Sequence, residues 1–210
     1  MKQISIFILP ATLTLLSCKA QNPIIPLYLG GEYAETQNAY YKDVDNDFNR
    51  FVGTWLYTNG DEVFEIVLDK RELDFYNKPI DIPPHYTDYL YGEFRYVDEN
   101  GTELVNTLSN MGNTGIAVSE HRIFGNRIIP YKFLPRCEDC SPGERRVRLS
   151  LEDPDRDYLS YEIVLRTVPN ALNPAVNDMQ LVLGLGYSII PDGAETETRI
   201  PYGEYLLVKQ

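Results

Sequence analysis

Histidine and tryptophan are nearly missing: two His, one Trp and three Cys stand among 210 residues. Neither His85 nor His121 lies in a nucleophile–base pattern, and acid–base work would fall to carboxylates. There is no Gly-x-Ser-x-Gly elbow and no phosphate-cradling glycine loop, which speaks against acyl and phosphoryl transfer. Zinc needs about four N or S ligands, and the few Cys and His are scattered. Positive charge is short too: 19 Lys and Arg against 31 Asp and Glu give a net charge of −12. Such a chain repels phosphate backbones, so no nucleic acid partner is expected. No apolar run approaches the roughly 20 residues of a membrane-spanning helix. Sustained helical period, internal repeats and low-complexity blocks are also lacking.

What the chain does have is 43% hydrophobic residues, 16 Tyr and 8 Phe, with 14 Gly and 14 Pro. That is enough to bury a core, and the bias toward aromatics and turn formers favours strands over helices. The length fits a single domain, of about 100–200 residues.

The N-terminus reads as an address. Lys2 precedes an apolar stretch from Ile6 to Leu16, and Leu15-Leu16-Ser17-Cys18 resembles the lipobox of bacterial lipoproteins. The resemblance implies acylation of Cys18 and cleavage before it, which makes residues 1–17 a lipoprotein signal peptide. Two or more acyl chains anchor a protein stably. Residues 18–39, rich in Pro, Gly, Asn and Gln, are expected as a lipidated tether, and 40–210 as the folded domain. Loss of the peptide removes Lys2 alone and takes the charge to −13. No acid cluster follows Cys18, which favours the periplasmic face of the outer membrane over the cell surface.

Beyond residue 39, strand patterns alternate with turns. Phe51 to Tyr57 and Glu62 to Asp69 flank Asn59-Gly60, a strong hairpin signal. A second hairpin pairs Tyr89–Val97 with Thr102–Leu108 around Asn100-Gly101. The proline-rich stretch from Tyr76 to Thr87 reads as a loop, and Gly125-Asn126 as a further turn. Val147, Leu149 and Leu151 alternate with Arg146, Arg148 and Ser150. Leu159, Tyr161, Ile163 and Leu165 form the returning face, and Met179–Leu185 and Gly203–Lys209 close the set. The pattern predicts an all-β fold: a single antiparallel up-and-down barrel of about nine strands.

Asn49-Arg50-Phe51-Val52-Gly53-Thr54-Trp55 is similar to the first strand of the calycins, the lipocalins and fatty-acid-binding proteins. Tyr40–Asp43, Phe51–Trp55, Tyr57–Gly60 and Asn106–Leu108 together resemble a narrower family of flavobacterial secreted or lipidated proteins, a domain of unknown function. The calycin resemblance implies a barrel in which Gly53 gives Trp55 room to plug one end, with a cation over the indole. The last strand holds no Arg, and Lys209 is the candidate.

Cys137-Glu138-Asp139-Cys140 is expected to close a local disulfide in an oxidising envelope. The flanking acids raise thiol pKa and disfavour a redox role. Asp43-x-Asp45-x-Asp47 and Asp153-x-Asp155-x-Asp157 resemble calcium loops but lack the required Gly and Glu, and read as solvated acidic turns. The composite expectation is a lipid-anchored envelope protein, not an enzyme, needing no cofactor or metal. It would bind a small apolar or amphipathic ligand. The alternative is a filled barrel that docks another envelope protein.

Overall fold

The computed structural model describes residues 22–29, 34–77, 82–186 and 188–210. The lipidation position Cys18 and the signal peptide lie outside them. Eleven strands form one sheet: β1 Ile24–Pro26, β2 Tyr40–Lys42, β3 Gly53–Asn59, β4 Glu62–Tyr76, β5 His85–Val97, β6 Glu103–Asn106, β7 Ile123–Pro130, β8 Arg145–Glu152, β9 Ser160–Pro169, β10 Asn177–Leu185 and β11 Gly203–Lys209. Eight of them, β3–β5 and β7–β11, close into an antiparallel barrel in chain order, sealed by the β11–β3 and β5–β7 pairings. Closure gives each of these eight strands a partner on both sides, while β1 and β6 lie outside the barrel with one partner each.

Alternation builds the wall. Phe64, Ile66 and Leu68 of β4, Val147, Leu149 and Leu151 of β8, and Tyr161, Ile163 and Leu165 of β9 all point inward and are buried. With Leu90, Phe94, Met179, Leu181 and Leu207 they make one continuous apolar cluster. An eight-stranded barrel is just wide enough for side chains to fill, and large aliphatic and aromatic residues pack together inside this one.

Several local expectations change. The first hairpin turns at Gly60-Asp61, one residue later than the Asn59-Gly60 signal, because Asn59 still pairs with Glu62. Only Gly60, at φ +63°, takes positive φ, the pattern of a type II′ turn. Gly125-Asn126 is no turn: β7 runs through it with a bulge between Phe124 and Arg127. A Cβ on Gly125 would stand 3.1 Å from the Leu149 Cα, so the glycine lets β7 and β8 approach. The expected loop at 76–87 is shorter, since β4 and β5 pair as far as Tyr76 and His85. The second hairpin forms, but β6 pairs with β5 alone and is not a stave of the barrel.

Part of the expected tether is packed structure. β1 pairs in parallel with β2, which pairs with β5, and Leu27, Ala34 and Ala39 are buried. Asp88 ties this layer down. Its carboxylate accepts the Tyr40 hydroxyl at 2.5 Å and the Asp43 and Leu73 N–H groups at 3.0 Å each.

Candidate functional site

The two ends of the barrel differ. The base is closed by the segment leading into β3. Asp43 accepts the backbone N–H groups of Asp47 and Phe48 at 2.8 and 2.9 Å, which shapes a single 3₁₀ turn over Phe48–Arg50. Phe48, Phe51 and Trp55 pack beneath it, and the indole N–H donates to the Phe51 carbonyl at 2.6 Å. The register sets Lys209 opposite Trp55, with its ammonium 5.3 Å from the indole centroid. Gly53 has φ +127°, and a Cβ there would lie 2.9 Å from the Lys209 Cε. Gly53, Trp55 and Lys209 thus come together, and the glycine makes room for the lysine rather than for the indole.

The acidic turns are solvated only in part: Asp45, Asp155 and Asp157 are exposed. Asp43, Asp47 and Asp153 are buried. Asp47 meets Arg50 and Arg145, and Asp153 meets Arg199, whose Nε lies 2.7 Å from Oδ2. These carboxylates are structural ties between distant segments. Among the described residues, no three His, Cys, Asp or Glu side chains converge as metal ligands.

The opposite end is a mouth. A cleft of about 500 Å³ opens there, lined by Tyr57, Tyr96, Tyr202 and Tyr205 with Glu62 and Arg199 among their neighbours. β3 and β4 place Tyr57 and Glu62 on either side of the first hairpin, and β5 brings Tyr96 beside them. Tyr96 donates to Glu62 Oε1 at 2.8 Å, and the Tyr57 hydroxyl sits 3.5 Å from Oε2. The rings of Tyr57 and Tyr205 meet edge-to-face at 5.0 Å. Desolvation raises the phenol pKa of Tyr57, Tyr96 and Tyr205 above the ordinary value, and the Glu62 charge adds to it. At neutral pH all three are therefore O–H donors. Tyr202 stands half-exposed over the cleft, and Leu185, Ile189 and Ile190 are exposed on the segment that leads to it. The arrangement offers aromatic faces around a carboxylate, with Asp98, Glu99 and Glu204 also lining the cleft.

Cys137 and Cys140 are joined as a disulfide, with 5.3 Å between their Cα atoms. They lie on the 131–144 loop, packed outside β8 and β9. That loop is held by arginines from the wall: Arg146 donates to the Pro135 carbonyl at 2.8 Å and the Phe133 carbonyl at 2.6 Å. Arg146 is 2% exposed, and burial, reinforced by repulsion from Arg166 and Arg148, lowers its pKa. A second buried pair lies elsewhere on the wall, where His121 Nδ1 is 2.9 Å from Glu93 Oε1. The alternation pattern gave no sign of either Arg146 or Glu93, because both stand on the outward rows where solvent is expected.

A family described as "Family of unknown function (DUF6705)" matches the chain over residues 1–210. A CTP synthase from Sulfurisphaera tokodaii is 24% identical over 192 residues, covering 82% of this chain and 32% of that protein. The chain thus spans about a third of the length of this curated relative. No solved structure matches it.

Proposed function

The chain belongs to the family of unknown function DUF6705, and from that premise we propose that it is a non-catalytic binding module of the bacterial cell envelope. It is anchored through acylated Cys18 and takes its ligand at the mouth of a calycin-like barrel. The calycin reading draws support from the eight-stranded meander, the 3₁₀ turn before β3, and Lys209 over Trp55. Distant identity to a third of a CTP synthase supports no transfer of that protein's activity. The observation that carries the reading is the mouth cleft of about 500 Å³, walled by tyrosines around the Glu62 carboxylate. Apolar side chains buried along the barrel pack into one cluster, and the reading therefore places the ligand at this rim. The aromatic faces suit the apolar part of an amphipathic molecule, and Glu62, with Asp98, Glu99 and Glu204 nearby, suits an amine or hydroxyl group on it.

Native mass spectrometry of the purified protein tests this directly. A co-purifying small molecule is expected, and Tyr202→Ala with Glu62→Gln should weaken its retention at least tenfold. Retention unchanged in that double variant would remove the mouth from the account. The exposed Leu185, Ile189 and Ile190, on the segment between β10 and Tyr202, also favour a second reading, docking of another envelope protein there. Cross-linking from position 189 separates the two, since a partner-sized adduct would replace the small-molecule one. The anchor has its own measurement: Cys18→Ala should shift the protein from the membrane to the soluble fraction, and co-sedimentation equal to wild type would refute lipidation.

A further inference from the structure

We propose that Cys137 and Cys140 are an exchangeable dithiol–disulfide pair, in which Cys137 is the nucleophilic sulfur and Cys140 the resolving one. Its reaction partners are low-molecular-weight thiols and disulfides that enter a cleft on the outer wall of the barrel. This does not depend on the reading of the mouth.

Both cysteines are partly exposed, and Cys137 lines a cleft of about 270 Å³ with Arg136, Arg146, Arg166 and Glu204. Arg166 Nη1 lies 3.0 Å from the Cys137 sulfur, and its side chain is 13% exposed. A neutral disulfide sulfur is a weak acceptor, whereas the same N–H pointed at a thiolate makes a charge-assisted bond. The contact is therefore worth more after reduction, and it lowers the cost of a thiolate at Cys137. Arg146 adds to this. It is buried, makes no ion pair within 4.0 Å among the described residues, and leaves its Nε without an acceptor. Opposing charges come from three directions. Glu138 and Asp139 belong to the loop and are exposed, so solvent screens them. Glu204 faces the cleft from β11 and is exposed as well. Glu144 lies 3.0 Å from Arg166 Nε and shares its charge. The guanidinium in contact with the sulfur outweighs the screened acids.

Glu144 also distinguishes the two sulfurs. Its Oε1 is 3.5 Å from the Cys140 sulfur, where a carboxylate disfavours a thiolate but can accept a thiol proton. In the reduced protein the Cys137 thiolate attacks one sulfur of a disulfide RSSR. The S–S bond breaks, a Cys137–S–S–R mixed disulfide forms, and RS⁻ leaves to be protonated by solvent. Cys140 then gives its proton to Glu144, and its thiolate attacks the Cys137 sulfur and expels the second RS⁻, which takes up that proton. The protein dithiol is oxidised by two electrons and RSSR is reduced to two RSH. The reverse sequence returns the disulfide of the present structure to the dithiol.

The test follows alkylation of each cysteine in the reduced, folded protein by iodoacetamide as a function of pH, read by peptide mass spectrometry. Cys137 should show a midpoint at least one unit below the ordinary thiol value of about 8.5, and Cys140 a midpoint at or above it. Arg166→Gln should raise the Cys137 midpoint and cut its reactivity at pH 7 about tenfold, as a one-unit shift requires. Arg166→Lys should recover part of that. In oxidised glutathione, Glu144→Gln should prolong the mixed disulfide on Cys137 without slowing its alkylation. Equal midpoints for the two cysteines, or a Cys137 midpoint at or above about 8.5, would overturn the proposal. The wild-type profile decides this even where a variant does not fold.

Discussion

Gly53 shows how much one residue without a side chain can hold. At φ +127° it occupies backbone that L-residues rarely adopt, and it leaves space for the Lys209 stem to lie over Trp55. Gly53→Ala should destabilise the fold by about 1–3 kcal/mol, from the backbone strain alone, and push the ammonium off the indole. Lys209→Met should cost about 0.5–1 kcal/mol, the worth of an exposed cation–π contact. Because the two act on one contact, the double variant should lose less than the sum. Chemical denaturation of the three variants measures this, and strict additivity would show that the lysine and glycine are not coupled. The Gly-x-Trp spacing was legible as a strand motif. The lysine's position was a guess from the resemblance, because register between strands so far apart in sequence is set only on closure.

At the scale of elements, closure depends on β5. Its long edge is shared by three partners in succession: β2 at Tyr86 and Thr87, β7 at Leu90–Gly92, and β6 at Arg95–Val97. Gly92 sits at the seam, where a Cβ would come within 2.1 Å of the Val67 carbonyl oxygen. That contact is backbone and has little freedom to yield. Gly92→Ala should therefore abolish cooperative unfolding or yield insoluble protein, whereas Gly184→Ala on β10, with nothing within 4 Å, should change stability by under about 1 kcal/mol. Equal thermal midpoints for the two variants would contradict the close approach of β4 and β5 at this point. Alternation identified the strands of β8, β9, β10 and β11 with little error, since each has one face in the core. It could not separate β6, a strand outside the barrel, from a stave, because both show the same hairpin chemistry. Nor could it tell the β7 bulge from a turn, since glycine serves both.

For the whole molecule, the tyrosine excess becomes a titration property. Burial raises the phenol pKa of Tyr40, Tyr96 and Tyr205 well above the ordinary value, and pushes Tyr161 up to about 12. A phenol whose folded pKa exceeds its unfolded value of about 10 keeps its proton longer in the native state. Its contribution to stability is full below pH 10 or so and is lost as the pH rises through the folded pKa. The fold should thus lose about 1.4 kcal/mol per pH unit for each such tyrosine above pH 10 or so. Ultraviolet titration should show the exposed phenols ionising first and the buried ones only together with unfolding. A single smooth titration of all 16 tyrosines near pH 10 would refute their burial.

The sequence by itself determined the all-β class, the two Asn-Gly hairpins to within a residue and the inward faces, because strand alternation is a local pattern with a period of two. It also carried the acidic charge and the Cys137–Cys140 disulfide, whose partners stand three residues apart. Only the tertiary structure decided the rest: that the sheet closes on itself, that Tyr96 meets Glu62, that Arg199 neutralises buried Asp153, and that Arg166 touches the Cys137 sulfur. Those partners are separated by 34, 46 and 29 residues. Charges that look solvated along the chain are brought together when a closed sheet fixes which distant residues share a face.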